Sequence, residues 1–322
     1  MDTIGLISLN LLSPVVLAFV LGGFATLLRS DLKFPDELYT ALSIYLLLAL
    51  GLKGGAELSQ ASMSVIWAPV VATLALGVAT PLLSYVAVRY LGRLNVVNAS
   101  AIAAHYGSVS VVTFMAALSF LEALEVQFEP YLTTLLVILE VPAIIVALAI
   151  AGGANELKRR SWREVIHDTI VGKSVFLLMG GLFIGFLTGK EGLSHVEGFF
   201  EVPFQGAVML FLLEMGMVAF RRMRDFRKVG VFLLLFALIA PVVNGALGIW
   251  FGYLSGLSLG GTMVLGIMAA SASYIAAPAA VRAALPEANP SYYLTMALGI
   301  TFPFNLTFGI PLFYYLARMI HA

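Results

Sequence analysis

Two stretches carry residue types that are out of place in their surroundings. Gly107-Ser108-Val109-Ser110-Val111-Val112-Thr113 sets a glycine, two serines two apart and a threonine in the middle of an apolar segment. Ser271-Ala272-Ser273-Tyr274-Ile275-Ala276-Ala277-Pro278 repeats the serine spacing far downstream and adds a helix-breaking proline. Hydroxyl oxygens suit a hard cation such as Na⁺. A helix that opens at these points offers more. Its freed carbonyls also face a cation, and the next half-helix presents N–H donors and a positive dipole end to an anion. The competing reading is that small residues merely let helices pack closely. One matched pair per half of the chain favours the first.

Ionisable groups within apolar segments cost energy and point to function. His105, Glu140 and Glu214 are of this kind. Glu140 precedes Pro142 and offers a carboxylate to Na⁺; a protonated acid bonded to a neighbouring helix is the alternative. Asn305, after Pro303, can add an amide oxygen to a cation. Tyr274 can donate to a ligand or simply bond a carbonyl. Glu214, His105 and Asn244 read as structural groups, Asn244 as a helix–helix hydrogen bond. No Arg or Lys sits mid-segment to meet a strongly anionic ligand, so a small, singly charged anion fits best. A Na⁺ bound with it would offset its charge, which in a 100 mV field is worth about 2.3 kcal/mol.

The elements that must position these residues are membrane helices. The chain is 61% hydrophobic and 11% charged, against about 25% charged in a soluble domain. Its mean hydropathy is +0.99. Zero net charge gives no basic surface for nucleic acid, and the absence of cysteine removes thiolate metal sites and cysteine nucleophiles. No metal-protease, phosphate-loop, dinucleotide or serine-hydrolase motif appears in a supporting context, so an enzyme is not expected. The start carries only Asp2 before the first apolar run, which reads as a retained helix.

About 20 apolar residues cross a bilayer. That ruler gives ten segments, roughly 11–28, 37–53, 65–90, 97–120, 130–152, 173–189, 203–220, 229–254, 260–284 and 290–317. Fifteen of the 18 Lys and Arg fall in connections on one side, which is then cytoplasmic; Lys53, Lys190 and Arg318 fall on the other. Both termini are thereby expected outside. Residues 1–152 form a first unit of five spans, 153–172 a cytoplasmic loop and 173–322 a second unit. Five is odd, so the second unit enters from the opposite side, as an inverted repeat. Residue matches at an offset near 160 agree: Pro81 with Pro241, Ser108 and Ser110 with Ser271 and Ser273, Pro130 with Pro290, Pro142 with Pro303.

GLKGG at 51–55, GSVSVVT at 107–113, LEVPA at 139–143, ASASYIAAPAAVRAALPEANPS at 270–291 and GITFPFN at 299–305 carry a resemblance. Over nearly its whole length the chain resembles the sodium-dependent bicarbonate permease family, whose best-known members are cyanobacterial. The resemblance implies an all-α polytopic fold of ten helices in two inverted repeats, like that of bile-acid symporters. Helices 4 and 9 would be broken and cross; helices 3–5 and 8–10 would form a mobile core, and helices 1, 2, 6 and 7 a gate. It implies homotrimers in a bacterial inner membrane that co-transport Na⁺ with bicarbonate by an elevator motion. Bicarbonate would lie between Gly107, Ser108, Val109, Ser110, Val112 and Thr113 on one side and Ser271, Ala272, Ser273 and Tyr274 on the other. Na⁺ would lie close by, with Ser108, Ser110, Glu140, Ser273 and Asn305 as its ligands. Cyanobacterial members also bind a PII-like regulator on the cytoplasmic face, but their 153–172 counterpart is longer. Symport of another small organic anion, and a channel or non-transporting scaffold, stay open as alternatives.

Overall fold

A computed structural model describes residues 3–153 and 162–322. The described residues are mostly helical and contain no strand. Among the described residues, eight helices are long and apolar enough to cross a membrane, or nine with one bent pair. That pair is α1 (Thr3–Leu11) and α2 (Pro14–Leu27), which turn by 61°. Ser13 caps α2 by accepting from the Val16 N–H, and Pro14 starts it where its missing N–H costs nothing.

Then come α3 (Asp36–Leu58) and α4 (Met63–Val86), which ends in a π-turn, Ala87–Leu91. The fourth expected segment is α5 (Val96–Gly107) and α6 (Val111–Ala123), followed by α7 (Leu132–Gly153). Next are α8 (Trp162–Ile170), α9 (Lys173–Ser194), the short α10 (Glu197–Phe200), α11 (Phe204–Met223) and α12 (Phe226–Val229). The rest is α13 (Val231–Leu254), α14 (Leu259–Ala270), α15 (Ala276–Ala284) and α16 (Pro290–His321), whose middle holds π-turns at Ala297–Thr301 and Asn305–Gly309. The ninth expected segment is therefore α14 plus α15, neither of which spans a bilayer alone.

Several expected boundaries move, among them the end of α9, which continues past a kink at Gly189 to Ser194 and takes in Lys190. Helix α3 runs on to Leu58, so Lys53 lies within a helix and not in a connection. Part of the expected 153–172 loop is the amphipathic α8; Lys158, Arg159 and Arg160 lie outside the described residues.

Packing follows the small residues. Helix α3 lies along α9, and α2 along α11. A Cβ on Gly51 would come within 2.8 Å of the Leu178 carbonyl oxygen. One on Gly55 would collide with the Leu182 carbonyl, and one on Gly185 with that of Leu52. Gly22 and Gly216 play the same part between α2 and α11. The GLKGG run is thus a seam where backbone meets backbone, a close approach only glycine permits. Elsewhere α4, α5 and α7 pack together, as do α13, α14 and α16. The α5–α6 span is the most enclosed: 94% of its best apolar window is buried, against 22% for α9.

Candidate functional site: two broken helices joined at their breaks

Helix α5 ends at Gly107, and α6 begins at Val111. Between them Ser108 (φ −89°, ψ 176°) and Ser110 (φ −101°, ψ 110°) are extended. Gly107 sits against Pro81 of α4, and a Cβ there would come within 2.7 Å of the proline ring. Ser110 restarts the chain as a helix: its hydroxyl accepts from the Thr113 N–H at 3.2 Å and from the Thr113 hydroxyl at 2.9 Å. The second break runs from Ser271 to Ile275. Ser271 is extended (φ −83°, ψ 166°), and the Ser273 hydroxyl accepts from the Ala277 N–H in the first turn of α15.

The two breaks bond to each other. The Ser110 N–H donates to the Ser271 hydroxyl at 2.8 Å. The Ser273 N–H donates to the His105 carbonyl at 2.8 Å. The His105 carbonyl lost its usual helical donor because Val109 lies in the break, and Ser273 replaces that donor. The Ala270 carbonyl, orphaned likewise, takes the Asn305 side-chain N–H at 2.9 Å. Thr80 of α4 reaches the Gly107 carbonyl at 3.4 Å. Irregular backbone here is tolerated because protein donors surround it.

What the crossing leaves unsatisfied is informative. The Ser108 Oγ, the Tyr274 hydroxyl and the Asn305 Oδ1 are buried and have no hydrogen-bond partner. The first turn of α6 follows directly, so N–H donors and neutral oxygens occur side by side. Buried polar atoms without partners are expensive, and a ligand is one way they are repaid. Among the described residues no three His, Cys, Asp or Glu gather to hold a metal. A cation at the crossing would therefore be held by hydroxyl, amide and carbonyl oxygens, which suit Na⁺.

The other expected residues are placed as follows. Val109, Val112, Thr113 and Ala272 are buried in or beside the breaks. Glu140 has no contact with the two serine pairs among its hydrogen bonds: its Oε1 accepts from the Ser174 hydroxyl of α9 at 3.1 Å, and its Oε2 is unpartnered. The His105 ring bonds the Ala101 carbonyl through Nδ1 at 2.6 Å and stacks on Tyr293 with centroids 4.3 Å apart. Its backbone, not its ring, joins the site. Glu214 pairs with Arg221 at 3.2 Å, and Asn244 of α13 donates to the Tyr106 carbonyl of α5 at 3.4 Å, a bond between helices.

Residue chemistry alone did not single out the residues that brace the crossing. Tyr106 bonds Thr301 at 2.6 Å, and Thr301 donates to the Ala237 carbonyl at 2.7 Å, tying α5, α16 and α13. Glu129, just before α7, bonds the backbone N–H and hydroxyl of Ser258 at the start of α14. Asn289, just before α16, gives its N–H to Asn98 in the first turn of α5 at 2.8 Å. Each broken helix is thus held at its start by the segment leading into the last span of the other half. The trace of this in the chain is the match of Glu129-Pro130-Tyr131 with Asn289-Pro290 and Tyr292 across the repeat.

The architecture is that of a multi-pass helical membrane protein built around a pair of discontinuous helices that meet at their breaks. A model of the Na⁺-dependent bicarbonate transporter superfamily matches residues 14–318, and the chain belongs to that family. It is a transporter family, not an enzyme family. A comparison with curated proteins finds no match.

Proposed function

We propose that this protein takes up bicarbonate by Na⁺-coupled symport, with both ions bound where the two breaks meet. The observation that carries the reading is the set of buried, unpartnered oxygens of Ser108, Tyr274 and Asn305 at a hydrogen-bonded crossing. Ser108 Oγ and Asn305 Oδ1 supply oxygens to Na⁺, joined by Ser110, Ser273 and the second lone pairs of the His105 and Ala270 carbonyls. The first-turn N–H groups near Val112 and Thr113, with the Tyr274 hydroxyl, take the anion. Glu140 acts through its link to Ser174 and contributes charge to Na⁺ at longer range.

Symmetry in the packing supports the inverted repeat. The α2–α11 and α3–α9 pairs exchange under it, and so do the α4–α5 and α13–α14 pairs. In this reading α2, α3, α9 and α11 are the gate, and α4–α7 with α13–α16 the core that moves as an elevator. In this reading both termini lie outside, as the positive charge bias favours, and the bacterial inner membrane is carried from the family resemblance. A homotrimer and a cytoplasmic PII-like partner are carried from the family resemblance.

The test is uptake of labelled bicarbonate into vesicles holding the protein, with and without an inward Na⁺ gradient. Na⁺-driven, saturable uptake that disappears when K⁺ replaces Na⁺ is expected. Undiminished uptake in K⁺ removes the coupling. Stronger competition by small carboxylates than by unlabelled bicarbonate would reassign the anion.

A further inference from the structure

A cavity of 270 Å³ separates the first turn of α9 from the second break. It is lined by Tyr39, Thr169, Lys173, Ser174 and Tyr274, together with the small residues of α15. Tyr274 is 9% exposed, and its hydroxyl has no partner. At the other end, α9 begins at Lys173 after Gly172, which has no side chain to cap it, so no cap takes up its first N–H donors. The Ser174 hydroxyl is engaged by Glu140. Lys173 is exposed, forms no ion pair among the described residues and lies 6.0 Å from the Tyr39 ring centroid. Asp168 also borders the cavity, and its carboxylate is 3.4 Å from His167 Nδ1.

A lysine at a helix start is unfavourable for that helix unless something anionic meets both, because the dipole and the ammonium carry the same sign. Here the same cavity is lined by Tyr274, whose buried hydroxyl lies beside Ser110 at the crossing. We infer that the α9 N-terminus and Lys173 form a second station for a small oxyanion, reached from the crossing past Tyr274, on the release side. The inference rests on the transport reading and adds a site that the two breaks do not contain. Bicarbonate leaving the crossing passes from the Tyr274 hydroxyl to the N–H groups of Lys173 and Ser174. The station fills as internal bicarbonate accumulates, and uptake slows.

The experiment uses full-length protein in liposomes at alkaline pH, preloaded with increasing unlabelled bicarbonate. Initial Na⁺-driven uptake of external labelled bicarbonate is measured. Lys173→Gln should raise the internal concentration giving half-inhibition about three- to fivefold, with the external half-saturation constant held within about twofold. Lys173→Arg should restore the wild-type value. Unchanged half-inhibition in Lys173→Gln overturns the station. Equal defects in the Gln and Arg variants overturn it too, since they show a packing role. Slowing by internal phosphate without slowing by internal bicarbonate also overturns it. If wild-type protein shows no Na⁺-driven uptake, the transport reading itself falls.

Discussion

The two breaks carry the same serine spacing and use it differently. At the second break all the serine oxygens are engaged: Ser271 accepts from Ser110 and donates to the Met268 carbonyl at 2.7 Å, and Ser273 caps α15. At the first break only Ser110 is engaged; its counterpart Ser108, the repeat partner of Ser271, is left free. The first break is shorter, closed by Gly107 against Pro81; the second carries Tyr274 and the Asn305 bond. Similar sequence thus yields one break with a free serine oxygen and another whose serines are all engaged in holding the crossing together. Serine count alone does not separate the two breaks; their hydrogen-bond partners do.

Changing Gly107 should have the largest effect. Gly107→Val forces the Pro81 contact apart, and overpacking of this kind costs about 1–3 kcal/mol. A lower melting temperature and lost uptake are expected; a normal melt would show that the first break is looser than its geometry. Ser271→Ala comes next. It strands the buried Ser110 N–H, at about 1–3 kcal/mol, and should lower both stability and uptake. Smaller losses, about 1 kcal/mol each with reduced uptake, are expected for the caps Ser110→Ala and Ser273→Ala.

Ser108→Ala should change stability least of the four serines, because it removes no protein hydrogen bond, yet it should cut uptake. Thermal melting and uptake measured on one preparation test the contrast. If Ser108→Ala and Ser271→Ala destabilise equally, the division of labour is wrong. Ser119, bonded to Met115 and Gln205 away from the breaks, serves as the control: Ser119→Ala should leave uptake near wild type.

Much of the crossing was legible because it depends on local chemistry. Serines, glycine and proline weaken a helix wherever they stand, and the breaks fall at Ser108–Ser110 and Ser271–Ile275 as those residues require. What was not legible depends on partners far along the chain. That the two breaks meet was expected from the repeat and the resemblance; the bond from the Ser110 N–H to the Ser271 hydroxyl, and that from Ser174 to Glu140, have no local signal. The GLKGG run read as a family signature with Lys53 in a connection, because a glycine stripe does not reveal what lies against it until α9 is placed. The amphipathic α8 was hidden by its short length and high polarity.

That glycine seam bears on how motion is shared through the molecule. Where α3 meets α9, carbonyls and Cα atoms touch with few side chains between them, so no rotamers exist to reshuffle. Such a joint behaves like a weld rather than a bearing. If parts of this protein slide, the slip plane has to run where faces meet through side chains and open space. The cavity at Tyr274 and the single Glu140–Ser174 hydrogen bond mark such a plane.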